Sequence, residues 1–161
     1  ATQLGMKQMV AASFWLPEGA SVDEYRKAAD ELNTIGEKTK AAGIQMVFHN
    51  NHMEFEKRGD ELIYDELLAQ FDPDLVKMQF QVAVVNIGYK AADYFRKYPG
   101  RFQSAHLADY STELQKQVPI GQGIVDWPDF FEAAKVGGVK NVFVEMDPET
   151  FGPSAEFLLK M

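Results

Sequence analysis

"IQMVFHNNHMEF", residues 44–55, begins as an apolar strand and ends in a cluster of polar side chains. Ile44, Met46, Val47 and Phe48 suit a strand buried on both faces, as strands of parallel sheets are. His49, Asn50, Asn51, His52 and Glu54 follow at once, and each carries a nitrogen or oxygen donor. Two of the chain's three histidines fall in this stretch. Donors crowded at the end of a buried strand form one wall of a site if other strands bring partners to the same rim.

Outward from this stretch, strand and helix periodicities alternate. Residues 7–14 read as a short strand. Residues 21–43 read as a helix: Ser21 and Glu24 make a capping box, and Val22, Tyr25, Ala28, Ala29, Leu32 and Ile35 recur at helical spacing. Gly43 closes that helix. The second strand covers 44–49 and a helix covers 60–71, stopped by Asp72-Pro73. A third strand is predicted over 75–85 and a helix over 88–98, ended by Pro99-Gly100. The fourth strand covers 102–107, a long connection runs from 108 to 126, and a helix follows over 127–136. Asp126 serves as its N-cap and Pro128 lies in its first turn. A fifth strand over 141–146 and a closing helix over 154–160 complete the chain. Five strand–helix alternations imply a parallel sheet with right-handed crossovers, in an α/β fold of one domain over 1–161.

The 161 residues, 46% of them hydrophobic, suffice for one globular core. The 24 acidic against 16 basic residues give a formal charge of −8, which argues against a nucleic-acid or anionic-lipid surface. No apolar run is long enough to span a membrane. The absence of cysteine excludes disulfides and thiolate metal sites but fits either redox compartment. The cytoplasm is the favoured location, although an export signal would precede Ala1.

Chemistry in a parallel sheet gathers at the carboxyl ends of the strands. The second strand ends in the cluster that includes Glu54, and the third carries Gln79 and Gln81. The fourth ends in His106 with Asp109 beyond it, and the fifth in Glu145 and Asp147. Four successive strands therefore present Glu, Gln, His and Glu, a donor set suited to Mn²⁺, Mg²⁺ or Zn²⁺.

The segments "AAGIQMVFHNNHMEF", "YFRKYPGRFQSAHLADY", "IGQGIVDW" and "GGVKNVFVEMD" stand in an order and spacing that resemble the xylose-isomerase-like TIM-barrel superfamily, in the group called sugar phosphate isomerase/epimerase. The resemblance is to its carboxyl-terminal portion. It implies a partial TIM barrel of five parallel β-α units, corresponding to strands 4–8 of a (β/α)8 barrel. It also implies a divalent metal held by Glu54, Gln81, His106 and Glu145, with Glu54 and Glu145 as the proton-shuttling bases at a sugar carbon next to a carbonyl. His49, Asn51, His52 and Trp15 would contact substrate. Gln81 stands where the family usually has Asp, which removes a charge from the metal site, and Asn51 replaces a family His. Without the metal, Glu54 and Glu145 would lie close together and the pKa of one should rise.

A complete barrel needs eight strands and usually about 250 residues. Strands one to three are thus expected to be missing, and the apolar strand edges at 7–14 and 141–146 should recruit a partner, most simply a second copy. The activity implied is sugar isomerisation or epimerisation. The alternatives are a keto-sugar lyase or hydrolase using the same site, or an inactive truncated barrel. A metal-dependent abasic-DNA endonuclease also belongs to the superfamily, but the acidic balance opposes it. Of the remaining features, Trp127 is read as packing its own helix. Asp109 and Asp147 are read as loop or cap residues, and Arg96, Lys97 and Arg101 as a solvated face. "GQG" at 121–123 shapes the long connection and is no phosphate loop.

Overall fold

A computed structural model describes residues 2–145 and 147–161; Ala1, and Met146 at the expected end of the fifth strand, lie outside that description. Five strands, β1 (Gln8–Ala11), β2 (Gln45–His49), β5 (Val76–Gln81), β6 (Phe102–Leu107) and β9 (Asn141–Val144), are hydrogen-bonded in that order. The β1–β2, β2–β5 and β6–β9 pairings are parallel. With their intervening helices these strands make five parallel β-α units, a partial TIM barrel. The chain divides into two compact units, residues 1–79 and 80–161.

In the first unit, helix α1 (Val22–Ala41) starts where the sequence places it. Ser21 Oγ accepts from Glu24 N, and Glu24 Oε2 accepts from Ser21 N at 2.8 Å. The helix buries Val22, Tyr25, Ala29, Leu32 and Gly36. Ile35, expected on that face, is exposed; Gly36 occupies the close approach, where a Cβ would stand 3.1 Å from Leu75 Cβ. The α1 side packs against α2 (Ile63–Gln70), and Phe14, Phe48 and Phe71 form a ring cluster beside it.

Several expected elements are shorter than the sequence suggested, beginning with the strand read over 7–14, which occupies only Gln8–Ala11. The helix predicted from residue 60 begins at Ile63, because Gly59 at φ 63° turns a small hairpin, β3 (Lys57–Arg58) with β4 (Glu61–Leu62). The third strand stops at Gln81 rather than 85. The apolar residues that follow coil into a 3-10 helix, Val82–Ile87, closed by Gly88 at φ 94°. The helix predicted over 88–98 occupies Ala91–Lys97, labelled α3. The closing helix, in contrast, starts early: α5 runs Pro148–Leu158, using Pro148 as a first-turn residue whose missing N–H has no intrahelical partner to lose.

In the second unit, α3 packs on α4 (Trp127–Gly137), whose N-cap is Asp126 as expected. Between them lies an aromatic core in which the Phe95 ring meets Phe80, Phe102 and Phe130 edge-on. A Cβ on Gly137 would stand 2.9 Å from Phe95 Cβ, so glycine sets how closely the two helices approach. Arg96, read as solvated, pairs with Asp129 across the same helices. Phe95 is fully buried, and its replacement by alanine should cost about 3–5 kcal/mol through lost transfer energy and an unfilled cavity. Urea denaturation of Phe95→Ala against the parent protein measures that loss.

Candidate functional site

Register places the second unit's functional side chains. Strand β6 pairs with β9 from Ser104↔Asn141 to Leu107↔Val144, and Glu145 N continues the ladder by donating to Leu107 O at 3.0 Å. His106 and Glu145 therefore emerge side by side at the carboxyl ends of neighbouring strands. His106 Nδ1 lies 3.2 Å from Glu145 Oε2. Gln81, at the end of β5, donates from Nε2 to the same carboxylate oxygen. Three of the four expected metal-site residues thus meet in one cluster.

The cluster fits a divalent cation in donor type and spacing. Metal–ligand bonds of about 2.1 Å leave adjacent ligand atoms roughly 3.0–3.4 Å apart, and the imidazole–carboxylate separation falls in that interval. Gln81 fits less simply. Its Oε1 already accepts from Ala83 N at 3.2 Å and so caps the 3-10 helix.

The first unit holds the remaining predicted residues. His49 closes β2 and is buried; its register partner is Gln79. Beyond it, residues His52–Phe55 form a 3-10 turn. Asn51 ties this turn to the end of β1, its Nδ2 donating to Ala12 O at 2.9 Å, and its backbone N donates to Glu54 Oε2 at 2.6 Å. His52 is exposed. Trp15 is 87% exposed and sits at φ 55°, a left-handed backbone that a bulky residue rarely adopts.

Glu54 is fully buried, and its Oε1 has no hydrogen-bond partner among the described residues. Burial pushes its pKa up to about 7, against the opposing pull of the Asn51 and Glu54 backbone N–H groups. The sequence led to an expectation of a raised glutamate through repulsion from Glu145; desolvation is the leading cause instead.

Asp109 was underestimated in the sequence. It is buried and accepts five hydrogen bonds, from the backbone N–H groups of Tyr110, Gly121, Gly123 and Val125 and from Trp127 Nε1. The connection over 108–126 is accordingly no open loop. It contains a hairpin, β7 (Asp109–Ser111) with β8 (Lys116–Val118), and then wraps the Asp109 carboxyl. A Cβ at Gly123 would fall 2.1 Å from Asp109 Oδ1, which explains the second glycine of "GQG". The signal was present in the two glycines and the tryptophan downstream of one acid. Trp127 packs within its own helix region as expected, 2% exposed and against Phe130.

The family described as xylose isomerase-like TIM barrel is matched over residues 1–161, and the chain belongs to it. Inosose dehydratase of Lacticaseibacillus casei is 25% identical over 160 residues, covering 86% of this chain and 52% of that protein. Two solved structures of sugar phosphate isomerase/epimerase from Parabacteroides distasonis ATCC 8503 are also similar. One is 27% identical with a TM-score of 0.80, covering 97% of this chain and 58% of the other. The second is 25% identical with a TM-score of 0.82, covering 99% and 61%. The chain spans about half the length of the curated relatives it matches. Its fold is sugar isomerase/epimerase-like.

Because Glu54 keeps its proton to about pH 7 when folded but only to its ordinary 4.5 when unfolded, the folded state binds more protons between those values. Stability from this group is therefore greatest below 4.5 and is lost as pH rises through 7. Glu54→Gln should match the parent protein near pH 4.5 and exceed it at pH 8 by on the order of 3 kcal/mol, the equivalent of the shift. Urea denaturation at both pH values in the presence of EDTA measures the difference.

Proposed function

We propose that the protein moves a proton at a sugar carbon next to a carbonyl, as a sugar isomerase or epimerase, assisted by a divalent cation. The observation that carries this reading is the pairing of His106 Nδ1 with Glu145 Oε2 at 3.2 Å on adjacent strand ends of a sugar isomerase/epimerase-like fold. His106 and Glu145 would hold the cation, with Gln81 beside Glu145. When bound, the cation would polarise the sugar carbonyl and so acidify the neighbouring C–H.

The protein's own groups supply the proton transfer. Glu145, half exposed, offers a carboxylate that substrate can reach. Glu54 has the complementary property: a pKa of about 7 keeps it near half protonation at neutral pH, with Oε1 as the atom that takes or gives the proton. His49, Asn51, His52 and Trp15 are proposed as substrate contacts, Trp15 by stacking its exposed indole on a sugar face.

A second reading has its own support in the likeness to inosose dehydratase. Abstraction of the same proton followed by loss of a β-hydroxyl would make the protein a keto-sugar lyase. Both readings require exchange of a carbon-bound proton with solvent. Incubating ketoses and keto-inositols with the protein and Mn²⁺ in D2O should incorporate deuterium, read by NMR. Glu145→Gln and His106→Ala should each slow incorporation by roughly 100-fold or more. An isomerised product supports the first reading and a dehydrated one the second; no incorporation with any such sugar would reject both.

Strands β1 and β9 stand at the ends of the strand order, and Met9, Val10, Val142 and Phe143 on them are exposed. We propose that a second copy covers such edges. Sedimentation velocity should then show a concentration-dependent dimer, weakened in Val10→Lys.

A further inference from the structure

Gln81 is buried, and both ends of its amide are engaged. Its oxygen accepts from Ala83 N at 3.2 Å, satisfying one of the N–H groups that open the 3-10 helix. Its nitrogen donates to Glu145 Oε2. The reverse orientation would set the NH2 group against the Ala83 N–H, two donors face to face in a place closed to water, where a lost hydrogen bond is costly. The backbone of the 3-10 helix therefore selects the orientation, and the group turned toward Glu145 is an N–H. A divalent cation takes oxygen from an amide and is repelled by its hydrogens.

We infer that Gln81 is a positioning residue for Glu145 and not a cation ligand. Its N–H holds the Glu145 carboxylate in place when no cation is bound and competes with a cation for Oε2. The inference rests on His106 and Glu145 as the cation's ligands. Two properties follow. Glu145 keeps its direction in metal-free protein, since the amide holds it there. Cation affinity is set low, because binding at Oε2 must displace or share with a hydrogen-bond donor and gains no charge from residue 81.

The test compares Mn²⁺ binding, followed by the EPR signal of free Mn²⁺, in the parent protein, Gln81→Glu and Gln81→Met. In Gln81→Glu, which is isosteric, one oxygen can keep the Ala83 cap while the other brings a charge toward Glu145. The dissociation constant should fall roughly tenfold or more, as affinity rises with ligand charge. Gln81→Met removes donor and acceptor alike and should leave the constant unchanged or lower. Weaker binding in Gln81→Met, or no gain in Gln81→Glu, would overturn the inference. A second measurement needs no variant at residue 81. The Gln81 side-chain NH2 signal in a ¹⁵N spectrum of EDTA-treated protein should lie downfield and move upfield in Glu145→Ala; an unmoved signal would also overturn it. If His106→Ala leaves Mn²⁺ affinity intact, the proposed ligands fail, while the NH2 signal still reports the amide's bond to Glu145.

Discussion

Ser104 stands opposite Asn141, and the candidate site of the second unit depends on that register. Parallel strands offer side chains in step, so a pairing fixed at one end determines which residues emerge together at the other. Three positions later, at Leu107↔Val144, the paired ladder runs out. His106 and Glu145 are then neighbours, 3.2 Å apart. A slip of one residue would turn Glu145 to the opposite face of its strand and dissolve the pair. On β6 itself, Phe102 anchors the strand in the core where Phe95 meets Phe80, Phe102 and Phe130, a core that Gly137 allows to close.

The two glutamates of the proposed function are held in opposite ways. Glu145 is partly exposed, and Gln81 Nε2 donates to its Oε2. Glu54 is enclosed by its turn, and burial outweighs the two backbone N–H groups aimed at it. One carboxyl is thus open to solvent and the other enclosed.

Much of the fold was legible because buried parallel strands and capped helices leave strong local patterns. The run at 44–48 is a nearly continuous apolar stretch, and the Ser21–Glu24 box marks its helix start to the residue. The errors came where short-range chemistry overrides periodicity. Val82–Ile87 is as apolar as a strand, yet it coils into a 3-10 helix capped by the Gln81 side chain at one end and Gly88 at the other. Hairpins of two and three residues per strand have too few positions to show alternation. At the site, His106, Glu145 and Gln81 were identifiable by their place after apolar runs. The direction of the Gln81 amide was not, since it depends on a backbone N–H two residues away. Nor was the role of Asp109, whose donors come from as far as Trp127 and meet it only after the chain has doubled back.

The Asp109 carboxyl draws segment 121–127 onto a single pair of oxygens. Such a hub has no inexpensive partial release, because lifting one amide away weakens the geometry of the others while leaving the acid buried. The segment should consequently behave as an all-or-none latch: closed with every donor seated, or open with all of them solvated, and rarely between. A wall built this way resists gradual drift in shape, yet one substitution at its centre would loosen the whole stretch at once.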